Sequence, residues 1–261
     1  MNRYVAIVVL VALIGACATS PTGRSQLLLM SAVEMNQMGA TAFADMKDET
    51  SIETQGVTNR YVSCVANAIT AELDAKDQQA WEVVVFKDDS ANAFALPGGK
   101  IGVHTGLLKV AVTQDQLASV IGHEVGHVLA QHGNERMSLQ FASQSGQQLI
   151  GVLLEGTEQK PLLMAAMGMG AEYGVQLPFS RAHESEADLI GLQLMAKAGF
   201  EPQASVELWQ NMAKNSNGAP PEFLSTHPAN QTRIGNLQDN MTDAMMVYQQ
   251  ARQQGKRPQC Q

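Results

Sequence analysis

The sequence contains no cluster of lysine and arginine residues. Its 25 acidic residues outnumber 17 basic ones, and the formal net charge is −8 at pH 7. Proteins that bind nucleic acid concentrate positive charge on one face, so this balance argues against a nucleic-acid partner. Internal repeats and low-complexity tracts are also absent, and 45% of the residues are hydrophobic. Most of the chain is therefore expected to be globular.

Long apolar runs are absent too: none reaches about 20 residues, the length that crosses a bilayer as a helix. The run Val5–Ile14 follows Arg3 and leads through two small residues to Cys17. This pattern resembles a bacterial lipoprotein signal, in which the cysteine becomes the lipidated first residue. An ordinary secretory signal with an incidental cysteine and an uncleaved anchor are the alternatives. Since Ala18 and no aspartate follows Cys17, we expect a periplasmic protein attached to the outer membrane by its N-terminal lipid only.

Cysteine is scarce, with three residues in the chain. If Cys17 carries lipid, Cys64 and Cys260 remain, and an even pair in an exported protein suggests a disulfide. Two free thiols are the alternative. Spacing along the chain does not show whether the two Cα atoms approach within bonding distance.

The composition divides the chain into three parts. Residues 1–17 are the expected lipoprotein signal ending at the lipidated cysteine, and residues 18–30, rich in Ser, Thr, Pro and Gly, are an expected tether. Residues 31–261 are long enough for one domain with a sizeable core. In this domain the patterns predict a strand at 81–86, a strand–turn–strand unit at 92–103 with Pro97 at a sheet edge, a loop at 215–221, and several helices, including 161–176.

The stretch Val120–Ala130 contains His123-Glu124-Val125-Gly126-His127 and has the apolar spacing of a buried helix. Thr113 is a suitable N-cap, and Gln116 completes a capping box. On a helix, residues four apart share a face with Cβ atoms roughly 5–6 Å apart. Both imidazoles can then bind one metal ion, while Glu124 holds the water that the metal polarises. This is the H-E-x-x-H arrangement of zinc peptidases.

The alternative is a pair of core histidines that happens to flank a glutamate. In that case Glu124 would be buried among Ile121, Val125 and Val128 without a partner, at a cost of several kcal/mol. The sequence therefore favours the metal site.

A catalytic zinc site takes three protein ligands and keeps one open position, so two histidines leave it incomplete. A second predicted helix, at 180–198, begins with four candidates for the third ligand: His183, Glu184, Glu186 and Asp188. Glu184 and Asp188 share a helix face, whereas Glu186 points elsewhere. One of the two carboxylates can bind the metal while the other accepts the free N–H of a ligand histidine. A solvated acidic helix start is the alternative.

With these motifs in place, the chain resembles the HtpX-like and CAAX-prenyl-protease-like zinc metallopeptidases, in particular their soluble, periplasmic lipoprotein branch. The resemblance covers roughly residues 57 to 240. The matching residues are Asn92-Ala93-Phe94-Ala95 with Gly98-Gly99, Thr105-Gly106-Leu107-Leu108, His123-Glu124-x-x-His127, Ser180-Arg181 with Glu184-x-Glu186-Ala187-Asp188, and Thr226-His227-Pro228 with Arg233-Ile234. The absence of membrane spans departs from the integral-membrane members and puts a prenyl-protein substrate in doubt.

The resemblance implies roles for particular residues. It makes Glu184 the third metal ligand beside His123 and His127, and Asp188 the carboxylate behind the ligand shell. The substrate backbone is implied to lie along an edge strand that holds Asn92, Ala93, Phe94 and Ala95. The resemblance also places His227 near the active site, where it would stabilise the oxyanion or occupy the metal's open position. A structural hydrogen bond of His227 at a helix start is the alternative.

We therefore expect an α+β, mostly helical, zincin-like domain with a small sheet and one Zn2+ per chain. The expected function is that of a zinc metalloendopeptidase, an HExxH gluzincin with Glu124 as general base. Its expected substrates are misfolded or unassembled cell-envelope proteins. An outer-membrane assembly chaperone with a gated protease site is the rival hypothesis. An aminopeptidase is a weaker one, since no acidic motif for a substrate amine is evident.

Overall fold

The computed structural model describes residues 17–153, 177–214, 227 and 231–260. Its architecture is α+β and mostly helical with small sheets, which confirms the predicted fold class. The signal segment before Cys17, the helix expected at 161–176, the loop expected at 215–221 and the residues on either side of His227 lie outside the described residues. Among the described residues, no helix combines the length and the apolarity needed to cross a bilayer.

The described residues group into two compact units. One comprises residues 17–32, 130–153 and 177–183, and the other comprises residues 33–129, 184–214, 227 and 231–260. The division into signal, tether and a single domain stays a prediction.

In the first unit, strands β1 (Cys17–Thr19) and β2 (Ser25–Leu27) form an antiparallel hairpin, and helix α4 (His132–Leu153) follows later in the chain. The Arg24 guanidinium donates to both carboxylate oxygens of Glu135 at 2.6 Å, and Gln26 Nε2 donates to Glu135 Oε2 at 2.8 Å. The segment that we expected to be a tether thus contains a hairpin joined to α4. The composition of residues 18–30 does not show this pairing, because the partner lies more than a hundred residues away.

The second unit contains the remaining elements. Its strands are β3 (Glu82–Phe86), β4 (Ala93–Leu96) and β5 (Lys100–His104), followed by a short 3-10 helix (Thr105–Lys109). Its helices are nearly all of α1 (Ala32–Glu49), α2 (Gly56–Thr70), α3 (Gln114–Leu129), most of α5 (Leu177–Ala198), α6 (Gln203–Lys214), α7 (Gln231–Asp239) and α8 (Met241–Gln253).

The sheet of the second unit has the order β3-β5-β4, with β3 parallel and β4 antiparallel to β5. Strand β4 therefore lies at an edge, as Pro97 predicts, because proline cannot donate to a central ladder. Gly98 and Gly99 turn the chain between β4 and β5 with φ of 83° and 71°. These values favour glycine, since other residues pay a steric cost there.

One face of this sheet packs on α2 and α3. The shared core includes buried side chains from all three elements, among them Val65, Ile101, Val103, Leu117 and Ile121. Full burial of such a side chain contributes about 1.5–3 kcal/mol. This packing holds α3, the helix of the H-E-x-x-H motif, against the edge of the sheet.

The C-terminal tail returns to α2. Cys64 and Cys260 form a disulfide with Cα atoms 5.5 Å apart, across 196 residues of sequence. Nearby, Gln114 Nε2 donates to the carbonyl of Pro258 at 3.0 Å, and Cys260 N donates to Gln114 Oε1 at 2.9 Å. The disulfide therefore joins the tail to α2, and the two hydrogen bonds join it to the start of α3.

Candidate functional site

Helix α3 starts with a variant of the predicted capping box. The Gln116 N–H donates to Thr113 Oγ1 at 3.2 Å, as expected for an N-cap threonine. The Gln116 side chain, however, accepts from the N–H of Val112 at 3.0 Å and not from that of Thr113. The two bonds still satisfy two backbone donors at the helix start.

One turn apart on α3, the imidazoles of His123 and His127 meet edge to face with centroids 4.7 Å apart. Their Nε2 atoms lie 3.1 Å from each other. This closeness follows from the helical period, which places residues four apart on one face.

Helices α3 and α5 approach so closely that only small residues fit between them. A Cβ added at Gly191 would lie 2.6 Å from the backbone nitrogen of His123 and 2.7 Å from the carbonyl carbon of Gly122. One turn away, a Cβ at Gly126 would lie 2.9 Å from the carbonyl oxygen of Ala187. The small side chains let the backbones touch, and this contact brings the carboxylates of α5 to the histidines of α3.

Four side chains offer their ligand atoms to a common point: His123, His127, Glu184 and His227, with these atoms all within 4.8 Å of one another. His123 Nε2 lies 3.3 Å from Glu184 Oε2, and His127 Nε2 lies 3.4 Å from Glu184 Oε1. His227 Nδ1 lies 3.0 Å from Glu184 Oε1 and 3.3 Å from His123 Nε2.

These separations fit a tetrahedral metal site. Ligand atoms at about 2.0–2.1 Å from a zinc ion stand about 3.3 Å apart at the corners of a tetrahedron. The nitrogen and oxygen donors are also the types that zinc binds. Burial lowers the pKa of His127 well below its ordinary value, which favours the neutral imidazole that metal binding requires.

Asp188 lies behind this group. Its Oδ1 is 2.9 Å from His123 Nδ1, on the side of the ring that faces away from His127. Burial by itself would lower the pKa of His123, but hydrogen bonding to Asp188 and Glu184 raises that pKa to about 9. The carboxylates therefore favour positive charge at His123, whether from a proton or from a metal ion.

Arg233 on α7 completes the buried charge network, and the sequence did not suggest this role. Its guanidinium donates to both oxygens of Asp188 at 2.7 Å, and Nη1 lies 2.9 Å from Glu184 Oε2. The same nitrogen donates to the carbonyl of His227 at 3.3 Å. The guanidinium also lies 4.0 Å from the ring centroid of Trp209 on α6.

The charges in this network explain why Arg233 is buried. Glu124, Glu184 and Asp188 are all buried carboxylates, and Arg233 is 1% exposed. The three carboxylates and one guanidinium carry a net charge of −2, which a divalent cation would neutralise. Buried charges need such compensation because they have lost their hydration. In the sequence, Arg233 stands only as part of the motif that contains His227. A single arginine six residues after His227 does not indicate a buried counter-ion unless the positions of the helices are known.

Glu124 projects from α3 toward β4. Burial raises the pKa of Glu124, while His227, His123 and a backbone hydrogen bond from Ala95 act in the opposite direction. Its Oε1 lies 3.4 Å from His227 Nε2. A buried carboxylate with a raised pKa, next to a group of metal-ligand atoms, is suited to accept and return a proton.

His227 contacts both parts of the site. Its Nδ1 belongs to the ligand group, and its Nε2 faces Glu124. Whether His227 stabilises the oxyanion, occupies the metal's open position or makes only a structural hydrogen bond stays a prediction.

Two other histidines, His183 and His104, have partners of their own. In the first unit, His183 stacks on His132 with ring centroids 4.3 Å apart, and its Nε2 lies 3.2 Å from Glu135. His104 Nδ1 lies 2.7 Å from Ser90 Oγ. Among the described residues, the structure brings together His123, Glu124, His127, Glu184, Asp188 and His227, with Ala93 to Ala95 beside them on β4.

Comparison with known proteins bears on this site. Residues 57–241 match the model of peptidase family M48. The chain is 36% identical over 191 residues to the mitochondrial metalloendopeptidase OMA1 of Schizosaccharomyces pombe, which covers 72% of this chain and 55% of that protein. It is 28% identical over 209 residues to the beta-barrel assembly-enhancing protease of Yersinia pestis, which covers 77% of this chain and 43% of that protein.

The similarity to OMA1 extends to other organisms. The protein of that name from Arabidopsis thaliana is 35% identical over 226 residues, which covers 84% of this chain and 44% of that protein. The chain spans about half the length of these relatives. The family match, in contrast, takes in most of the chain, with the ligand group, Glu124, Asp188 and Arg233 all inside it. The chain therefore belongs to peptidase family M48.

Proposed function

We propose that the chain is a zinc-dependent endopeptidase. The observation that carries this proposal is the spacing of the ligand atoms of His123, His127 and Glu184, 3.1 to 3.4 Å from one another, beside the buried Glu124. These three residues would hold one zinc ion. When bound, zinc polarises a peptide carbonyl and makes water acidic enough to lose a proton near neutral pH.

Glu124 is the proposed general base. Its raised pKa lets it take a proton from water and return that proton to the leaving amine. The N–H of Ala95 lies at this carboxylate and holds it at the strand edge. Asp188 fixes the tautomer of His123 by accepting the proton of Nδ1, and Arg233 holds Asp188 from the other side.

The edge of β4 that faces away from β5 is the proposed substrate site. The N–H of His104 donates to the carbonyl of Asn92 at 3.0 Å, which marks a hydrogen-bonded pair of the antiparallel ladder. Because such pairs alternate, Phe94 also pairs with β5, whereas Ala93 and Ala95 direct their backbone groups outward. A peptide added as a strand there would be recognised mainly through its backbone. This mode suits a protease that acts on unfolded chains.

We further propose a place within the family and a location. The H-E-x-x-H motif and the downstream Glu184-x-Glu186-Ala187-Asp188 support the HtpX-like, lipoprotein branch. Lipid on Cys17 would attach the protein to the outer membrane from the periplasm. The name of the Yersinia pestis relative, a beta-barrel assembly-enhancing protease, supports misfolded or unassembled envelope proteins as substrates.

A specific observation favours a second candidate, an assembly chaperone with a gated protease site. His227 Nδ1 lies within the ligand group, at 3.0 Å from Glu184 Oε1 and 3.3 Å from His123 Nε2. In this position the imidazole takes the place that a substrate carbonyl needs. The site would then be shut until His227 moves.

The test uses the purified protein with unfolded casein, with and without a chelator and with zinc added back. We expect cleavage that the chelator abolishes and zinc restores, with internal cuts in the product map. Glu124→Gln should keep its zinc, measured by elemental analysis, and lose cleavage. Absence of cleavage by zinc-loaded protein, including a His227→Ala variant with the gate removed, would refute the peptidase proposal.

A further inference from the structure

Helix α1 lies before residue 57, where the family match begins, and yet it belongs to the same compact unit as the site. Its contacts converge on the strand that carries the proposed substrate site. At Gly39, an added Cβ would lie 2.2 Å from the carbonyl oxygen of Pro97. The backbone of α1 therefore rests directly on the turn that ends β4.

The turn makes a reciprocal contact with the helix. At Gly98, an added Cβ would lie 3.0 Å from the carbonyl oxygen of Asn36, one turn before Gly39 on α1. Backbone thus meets backbone at two neighbouring points. Such contacts leave little freedom for the end of β4 to move relative to α1.

Phe43, one turn after Gly39, extends this contact along the strand. It is 1% exposed and meets the rings of Phe86 and Phe94 edge to face, with centroids 6.0 and 6.2 Å away. The Phe94 ring in turn lies over Gly102, its partner on β5, where an added Cβ would be 2.2 Å from the ring. The Phe94 ring therefore packs between α1 and β5.

The two faces of β4 have different partners. Ala93 and Ala95 belong to the core shared with α2 and α3, whereas Phe94 contacts Phe43. Side chains alternate between the faces of a strand, so α1 covers the face opposite the metal-motif helix. Lys47, near the end of α1, adds a 2.7 Å ion pair with Glu82 on β3. The sheet is thus held from both sides.

We propose that α1 is a positioning element for the substrate strand. Through Gly39 and Phe43 it holds β4 at the place where the backbone groups of Ala93 and the Ala95 carbonyl face a peptide, while the Ala95 N–H meets Glu124. The inference rests on the proposed peptidase function, and it assigns a role to a helix outside the family match.

The first test is Gly39→Ala, which forces α1 and the Pro97 carbonyl apart without removing any buried group. Its matched control is Gly235→Ala on α7, a helical glycine where an added Cβ meets nothing within 4 Å. We expect Gly39→Ala to raise KM for an unfolded protein substrate by about tenfold, the effect of one lost backbone hydrogen bond. Zinc content and kcat should change little, and the control should match the wild type.

Amide hydrogen exchange gives a readout that needs no activity. In Gly39→Ala, the amides of β4 should exchange faster while those of α3 and α5 keep their wild-type rates. Unchanged exchange in β4 would overturn the proposal, and so would equally faster exchange in all three elements or loss of zinc, since these indicate general unfolding. If neither the zinc-loaded wild type nor its His227→Ala variant cleaves, the peptidase function fails, and exchange still decides whether α1 positions β4.

A milder variant guards against misfolding. Phe43→Leu keeps an apolar side chain and removes the ring that clamps Phe94. Its control is Phe200→Leu, at a phenylalanine that is 0% exposed in the same unit. A higher KM and faster β4 exchange in Phe43→Leu than in Phe200→Leu would support the proposal. Equal behaviour of the two variants would overturn it.

Discussion

Arg233 donates two hydrogen bonds to Asp188, from Nε and Nη2 to the two carboxylate oxygens at 2.7 Å. Both side chains are buried in the unit that carries the candidate site. Asp188 in turn lies 2.9 Å from His123 Nδ1. The arginine therefore acts on the ligand histidine through the aspartate. Its second contact, to Glu184, reaches another proposed ligand directly.

The first prediction concerns Asp188→Asn. The amide keeps the shape of the side chain but can present N–H to the N–H of His123, which favours the wrong tautomer. We expect a folded protein with zinc affinity or activity reduced about 10–100-fold, the usual cost of losing such a partner. Zinc titration and casein cleavage at saturating zinc measure the two effects. Asp239→Asn, at an exposed aspartate of α7, is the control.

Arg233→Met should destabilise the protein by about 3–5 kcal/mol, because it leaves buried carboxylates without their cation. Urea unfolding with and without zinc measures the loss, and zinc should recover part of it by supplying positive charge. The double variant Arg233→Met/Asp188→Asn should be less destabilised than the sum of the single variants. Arg252→Met, at a partly exposed arginine, serves as the control; an equal loss there would contradict the role given to Arg233.

Gly191→Ala tests the close approach of α3 and α5. Alanine favours a helix by up to about 1 kcal/mol over glycine, so helix propensity alone would make the variant more stable than the wild type. The added Cβ would instead lie 2.6 Å from the backbone of His123, and overpacking costs about 1–3 kcal/mol. We expect lower stability and weaker zinc binding together. Thermal unfolding of Gly191→Ala and Gly235→Ala should shift in opposite directions.

Acid should weaken the first unit through Glu135. Burial would raise the pKa of this carboxyl, but hydrogen bonds from Arg24, His183 and Gln26 lower it from 4.5 to about 2. The stabilisation is complete above pH 4.5 and is lost as the pH falls toward 2. It amounts to at most about 3 kcal/mol, at about 1.4 kcal/mol per pKa unit. Unfolding free energies from pH 6 to pH 3 should fall less steeply in Glu135→Gln than in the wild type.

The disulfide between Cys64 and Cys260 should contribute about 2–5 kcal/mol, because it closes a long loop of the unfolded chain. Thiol labelling of unfolded, unreduced protein should modify neither cysteine, and reduction should expose both. Cys260→Ser should lower the urea midpoint to that of the reduced wild type. Two reactive thiols besides Cys17 in the unreduced protein would contradict the bond.

The amino-acid sequence alone determined those parts of the site that lie within one helix or one strand. His123 and His127 share a face because a helix has a fixed period, and Thr113 caps that helix because its hydroxyl suits a backbone donor. Pro97 at a strand end likewise indicated that β4 lies at an edge. Each of these inferences uses residues a few positions apart, and the backbone geometry between them is set by the element.

Tertiary structure decided which distant groups meet. Residue spacing left Glu184 and Asp188 as alternatives, and the close approach of α3 and α5 brings Glu184 to His127 and Asp188 to the far side of His123. Arg233, an isolated arginine in the sequence, becomes the counter-ion of this network because α7 packs beside α5. The physical reason is that burying charge demands partners, and the partners are chosen by helix packing over long separations, which no local pattern records.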